Sequence, residues 1–466
     1  INTKCTLIPK ARLVRSNTAA KEVEDYTKYY NYVQMTRLLK FMALKYPHIA
    51  NLSSIGQSVQ GRELWVMRIT KDPNADVPGK PKCKYVGNMH GDETISRQVL
   101  VYLVEYLLTR YGEDPRITEL VTRTDIYIMP SMNPDGFEMS REGDCSGGAV
   151  GRSNARNMDL NRSFPDQFDK INIQQEDIPE VTAVIKWILE KKFVLSGNLH
   201  GGTVVASYPF DDSASHIMQG HYSRSVDDNL FKHLALTYAK NHPVMRTGEP
   251  KCPDTPDETF EDGIVNGAKW YDVPGGMQDY NYLNGNCLEI TMELSCCKFP
   301  PASELKKEWD YNRESLIAYL EQVHIGVRGY VKEATNGTAL PDVRIMVAGI
   351  NHNLTTAQFG DYYRLLLPGT YNVSAIATGT TSEMGTSGAN ESSTPQEARP
   401  PAQPEHQPIQ PQDFRHHHYN DMELFLRRYC CYIRFIAFAV KHLKCYASQY
   451  RLPGVAGSLV VRALGR

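Results

Sequence analysis

The feature that most constrains this chain is an alternation that runs through residues 1–325: short apolar segments with strand character follow one another, separated by longer segments whose apolar residues recur at helical spacing. Such alternation predicts an α/β domain, with a mixed central sheet flanked by helices on both faces. Residues 84–88 read as a strand leading into His90, and residues 125–129 and 193–199 as further strands. Residues 95–111 read as a helix that gathers Val99, Leu103, Tyr106 and Leu107 on one face.

From Gly326 the pattern changes to short alternating segments, such as 342–347 and 362–366, between Gly and Pro turns. This predicts a small all-β sandwich over 326–380. Residues 381–412 are rich in Ser, Thr, Pro, Gly and Gln, a composition that buries too little apolar surface to offset chain entropy, and they read as a disordered linker. Within 413–466, Tyr419, Met422 and Leu426 match Tyr32, Met35 and Leu39 at a constant offset. That match reads as the aborted start of a second repeat, and after Tyr429 it gives way to an irregular, unrelated tail.

Composition excludes several classes. Lys plus Arg number 51 against 53 Asp plus Glu, a net charge of -2, so no electrostatic footprint for nucleic acid is expected. The most apolar run, 430–440, is interrupted by Arg434 and falls short of the roughly 20 residues a spanning helix needs. No membrane span is expected in this chain. It opens at Ile1 without an initiator Met or a leader pattern, and reads as a processed form or a fragment. Ten cysteines, and sequons at Asn51, Asn336, Asn353, Asn372 and Asn390, point to an oxidising, glycosylating compartment.

The chemistry centres on His90-Gly91-Asp92-Glu93 and Asn198-Leu199-His200-Gly201-Gly202, each placed just after an expected strand. Ligands in open α/β sheets sit outside the carboxyl ends of strands. Two His and one Glu make a catalytic zinc set that leaves a fourth position for water. An isolated His-x-x-Glu is more often an interior His beside a surface Glu, and only the addition of His200 shifts that balance. The strand Cys287-Leu288-Glu289-Ile290-Thr291-Met292-Glu293 puts Glu289 and Glu293 on one face, too far apart to share one water. Glu293, nearer the carboxyl end, is the candidate general base, with a solvated polar face as the plain alternative. Arg152, Asn161 and Arg162 lie in a dense polar loop, where guanidinium forks could hold a carboxylate or lie on the surface.

Taken together, five ordered blocks resemble the regulatory (N/E) branch of the M14 zinc carboxypeptidases across roughly residues 26–379. They are Gly87-Asn88-Met89-His90-Gly91-Asp92-Glu93, Pro130-Ser131-Met132-Asn133-Pro134-Asp135-Gly136-Phe137, Asp159-Leu160-Asn161-Arg162-Ser163-Phe164-Pro165-Asp166, Ser196-Gly197-Asn198-Leu199-His200-Gly201-Gly202 and Gly275-Gly276-Met277-Gln278-Asp279-Tyr280. The resemblance implies one Zn2+ in the catalytic domain, held by His90, Glu93 and His200, with Glu293 as general base and later proton donor. It implies that Asn161 and Arg162 grip the terminal carboxylate, that Arg152 polarises the scissile carbonyl, and that Tyr271 closes over bound substrate. Asp211, with Gln278 alongside, falls where this branch places the acid that selects basic side chains, so peptides ending in Lys or Arg are the implied substrates.

The resemblance further implies disulfides Cys145 to Cys297 and Cys252 to Cys296, a transthyretin-like β domain from Gly326, and residence in the secretory pathway, in the Golgi or outside the cell. Multi-repeat relatives carry a membrane anchor, and none is expected in this chain. The closing strands of the β domain are not recognisable after Gly379, so that domain is expected to be incomplete. Two competing expectations are a catalytically inactive peptide-binding module of the same fold and a cytosolic enzyme acting on acidic tails. The full ligand and base set counts against the first, and the charge of Asp211 against the second.

Overall fold

The structure, a computed structural model, describes residues 25–145, 150–168, 178–216, 220–333 and 336–377, together with the backbone of two strands at 448–450 and 458–463. The expected linker at 381–412, the repeat-like 413–429, the apolar run 430–440 and Asn390 lie outside the described residues. Among the described residues no helix is long and apolar enough to cross a membrane.

Eight strands form one sheet: β1 (Ala50–Gln57), β2 (Glu63–Ile69), β3 (Lys82–Gly87), β4 (Asp125–Met129), β5 (Leu195–His200), β6 (Val205–Tyr208), β7 (Ile264–Asn266) and β8 (Leu288–Glu293). Their order is β1-β2-β4-β3-β5-β8-β6-β7. The central four, β4-β3-β5-β8, are mutually parallel, whereas β2 joins β4 and β6 joins β8 in antiparallel fashion. The expected mixed α/β architecture is therefore what the chain adopts. Parallel strands need crossovers that return over a face of the sheet, and those crossovers are helical here.

One face is covered by α1 (Tyr32–Lys45), α2 (Thr94–Arg110), α3 (Pro115–Arg123), α6 (Asp228–Asn241) and α9 (Leu305–Glu321). The other carries α5 (Pro179–Lys191) and α8 (Met277–Gly285). Two short helices, α4 (Pro134–Met139) and α7 (Gly267–Trp270), lie in the loops near the strand ends. Because the middle strands are covered twice, β3, β4, β5 and β8 are buried almost throughout.

Two expectations change here. The helix expected over 95–111 with one apolar face is α2, and it is buried nearly all round, down to Ser96, Arg97 and Gln98, because it shares one core with α9 and α1 as well as the sheet. A solvated polar face on the last strand does not occur. Glu289 is buried and paired with Lys84 Nζ at 3.0 Å, and Asn281 Nδ2 also donates to its carboxylate.

Beyond residue 326 the strands are short and antiparallel: β9 (Val327–Tyr330), β10 (Arg344–Val347), β11 (Ile350–Thr355), β12 (Asp361–Arg364) and β13 (Gly369–Ile376). They enclose a separate small core that includes Val331, Ile345 and Val373. The edge of β13 is paired with β15 (Ser458–Ala463), which pairs in turn with β14 (Ser448–Tyr450), so strands from far along the chain extend a sheet whose closing strands could not be read after Gly379. This β region is tied to the larger domain by Arg364, whose Nη2 donates to both carboxylate oxygens of Asp227, and by His352 stacked on Tyr282 at 4.0 Å.

Candidate metal centre and substrate cleft

Three neighbouring parallel strands deliver the candidate residues to one end of the sheet. His90 follows β3 in a turn that Asn88 closes, its Nδ2 donating to the carbonyls of His90 and Gly91 at 2.9 Å. Gly91 is obligatory there, since a Cβ would run into the backbone of Gly136 and Phe137. Glu93 occupies the N-cap position of α2, its side chain free of any capping bond to the helix and turned to the two imidazoles. His200 is the last residue of β5, and Glu293 the last of β8.

All three candidate ligands are buried and offer atoms within 4.8 Å of one another. Nδ1 of His90 stands 2.9 Å from one oxygen of Glu93, and Nδ1 of His200 stands 2.9 Å from the other. Nε2 of His90 lies 3.1 Å from Asp159 Oδ1. A neutral imidazole that donates Nε2–H to Asp159 turns its Nδ1 lone pair toward a Glu93 oxygen, with Arg152 Nη1 3.2 Å from the same nitrogen. Two acceptors face each other, an arrangement that a bound cation relieves. The donor set and the carboxylate behind the imidazole both fit zinc. Burial pushes the Glu93 acid up, but His90, Lys298 and His200 outweigh it and hold the group well below the usual carboxylate range.

Asp159 links two parts of the site, because its other oxygen accepts from Nη2 of Arg152 at 2.9 Å. Arg152 in turn reaches Glu93 at 3.4 Å. Asn161 accepts the Met277 N–H with its side-chain oxygen, which leaves its NH2 end as the donor. Arg152 and Asn161, with Arg162, Asp211, Tyr271 and Glu293, border a cleft of about 230 Å³ that also contains the three candidate ligands, and Asp159 stands behind Arg152. Glu293 is buried, and burial together with the nearby Glu93 carboxylate raises its pKa well above the ordinary value. Tyr271 packs on Trp270 with ring centroids 4.6 Å apart.

Asp211 is buried in the same cleft. Its Oδ1 accepts from Gln278 Nε2 at 2.6 Å, and its backbone N–H donates to Asp279. Gln278 does not border the cleft itself; it stands behind Asp211 on the first turn of α8 and acts on the opening only by holding that carboxylate. Desolvation raises the Asp211 pKa, against the opposing charge of Arg162. Gly267 leaves the room this acid needs, since a Cβ there would meet Asp211 Cα at 2.8 Å.

Two disulfides, Cys145–Cys297 and Cys252–Cys296, have the pairing that the family resemblance implied. Cys83 and Cys287 are buried free thiols. Lys298, immediately after Cys297, places Nζ 2.8 Å from Glu93 Oε1. Neither Lys298 nor Asp159 was singled out from the sequence. Asp159 lay inside a quoted block, and its spacing ahead of Asn161 and Arg162 was the one available signal. Lys298 gave none, because its partner is distant in the chain.

A sequence profile of the family described as zinc carboxypeptidase matches residues 35–315. The chain is 54% identical over 434 residues to Carboxypeptidase D of Mus musculus, covering 82% of this chain and 32% of that protein. It is 50% identical over 463 residues to Carboxypeptidase D of Homo sapiens, covering 87% and 34%. It therefore spans about a third of the length of these relatives. Carboxypeptidase M of Mus musculus is 46% identical over 356 residues, which cover 76% of this chain and 79% of that protein. Among solved structures, thrombin activatable fibrinolysis inhibitor shares the fold, with a TM-score of 0.51 at 20% identity over 64% of this chain and 75% of that one.

Proposed function

The chain belongs to the zinc carboxypeptidase family, and from that premise we propose that it hydrolyses the last peptide bond of peptides and proteins ending in Lys or Arg, within the secretory pathway. The observation that carries the substrate preference is Asp211, a buried carboxylate braced by Gln278 and bordering the same cleft as His90, Glu93 and His200. A partly desolvated carboxylate favours a cationic side chain and leaves an acidic or apolar one poorly matched.

His90, Glu93 and His200 would hold the zinc, which when bound supplies a Lewis acid and lowers the pKa of water. Asn161 and Arg162 bind the free terminal carboxylate, which confines cleavage to chain ends. The Glu293 carboxylate takes a proton from the attacking water and passes it to the departing amine nitrogen. Arg152, oriented by Asp159, donates to the carbonyl oxygen as charge develops on it. Tyr271 closes the outer side of the cleft over the substrate.

The two disulfides support an oxidising compartment. Asn336, Asn353 and Asn372 are exposed, as glycan acceptors must be, and Asn51 is half-buried. Competition between peptides ending in Arg, Glu and Phe tests the proposal. Preferential release of Arg is expected, and release of Glu or Phe at equal efficiency would overturn it.

A further inference from the structure

A second cluster of metal-ligating side chains stands apart from the centre described above. Asp212, His216 and Asp272 present donor atoms within 4.8 Å of one another. Nδ1 of His216 lies 3.3 Å from Asp212 Oδ1 and 3.3 Å from Asp272 Oδ2. Ser213 Oγ donates to the other oxygen of Asp272 at 2.7 Å, so that carboxylate is turned with Oδ2 toward the imidazole. Asp212 is fully buried, and its Oδ2 has no hydrogen-bond partner. Asp166 stands close enough to share a hydrogen bond with Asp212 only if one of the two carries a proton.

Two carboxylates thus face one imidazole nitrogen, and a third, Asp166, stands beside Asp212. An Nδ1–H can point at one acceptor, and charge-assisted N–H···O bonds shorten to about 2.7–2.9 Å. Equal separations of 3.3 Å to two oxygens instead describe donors arranged about a shared point.

We propose that Asp212, His216 and Asp272, with Asp166 beside them, form a second divalent-cation site. One imidazole with carboxylates suits Zn2+, while hard cations such as Ca2+ prefer oxygen ligands alone. Ser213 supplies the outer hydrogen bond that orients a ligating carboxylate. His216 is partly exposed and gives the ion a path from solvent. An ion here ties together three segments that also shape the cleft, since Asp212 follows Asp211, Asp272 follows Tyr271, and Asp166 belongs to the loop that carries Asn161 and Arg162.

The test is the zinc stoichiometry of the purified full chain, stripped by chelator and titrated calorimetrically with Zn2+ alone. Two equivalents are expected in the native chain and one in His216→Ala, whose exposed position makes it a mild change, and one again in Asp272→Asn. A chain carrying His90→Ala should keep the second site, so the count is read independently of the proposed peptidase reaction. A native chain that takes up a single equivalent, or a second equivalent that persists in either variant, overturns the proposal.

Discussion

His200 and Glu293 are register partners at the carboxyl ends of two adjacent parallel strands, β5 and β8. Their separation is set by the backbone ladder and not by loop conformation, so a candidate ligand and a candidate base are held on rigid elements. Glu293→Gln keeps the shape and removes the proton acceptor. Turnover of an Arg-terminated peptide should fall by about 10²–10⁴-fold, with zinc content by elemental analysis unchanged. Turnover like that of the native chain would take Glu293 out of the reaction.

Asp159 holds Nε2 of His90 with one oxygen and Arg152 with the other. Asp159→Asn should weaken zinc affinity by about 10–100-fold, read by competition with a fluorescent chelator. Unaltered affinity would show that the imidazole needs no help from this carboxylate.

The proposed selection for a basic side chain rests on the place of Asp211. Its replacement by Asn should cost about 2–5 kcal/mol in kcat/KM for Arg-terminated peptides, the range for truncating one partner of a buried charge pair. Gly267→Ala should act in the same direction without touching a charge, because the added methyl group takes space that Asp211 occupies. Equal activity of Gly267→Ala and the native chain on a series of Arg- and Phe-terminated peptides would refute this steric link.

Acid sensitivity has an identifiable contributor in His242. Its buried ring accepts the N–H groups of Val244 and Met245 at Nδ1, and burial pulls its pKa from 6.5 down to about 3. As pH falls below 6.5 the unfolded chain takes up the proton first. The stability due to the neutral ring is therefore complete above 6.5 and drains by about 1.4 kcal/mol per pH unit until the folded chain protonates as well. Urea unfolding between pH 7 and 4 should show a shallower pH slope for His242→Gln than for the native chain. Parallel slopes would contradict the assignment.

Legibility in the sequence followed distance along the chain. His90, Glu93 and His200 could be read because each follows an apolar strand, and strand ends are where α/β sheets place ligands. The four central strands are buried almost throughout, yet only β4 carries a nearly continuous apolar run, while β3, β5 and β8 interleave polar residues that find partners inside the domain. By contrast β1 has a mostly polar, half-exposed pattern and β7 only three residues, so neither edge announced itself. Glu289 looked like a possible solvated residue because its partner Lys84 sits two strands away in space and far away in sequence. The cluster of Asp212, His216 and Asp272 was invisible for the same reason: Asp272 reaches the other two only after the chain has passed through α6 and β7.

Cys296 and Cys297 are neighbours bonded in opposite directions, one to Cys252 and one to Cys145, and Lys298 comes immediately after them. Two distant stretches of polypeptide are thereby riveted to a single spot beside Glu93. The electron balance of the surroundings thus reaches the heart of the molecule: mild thiol treatment that opens these bridges should free Lys298 and leave the bed for the ion slack while the sheet beneath it stays intact.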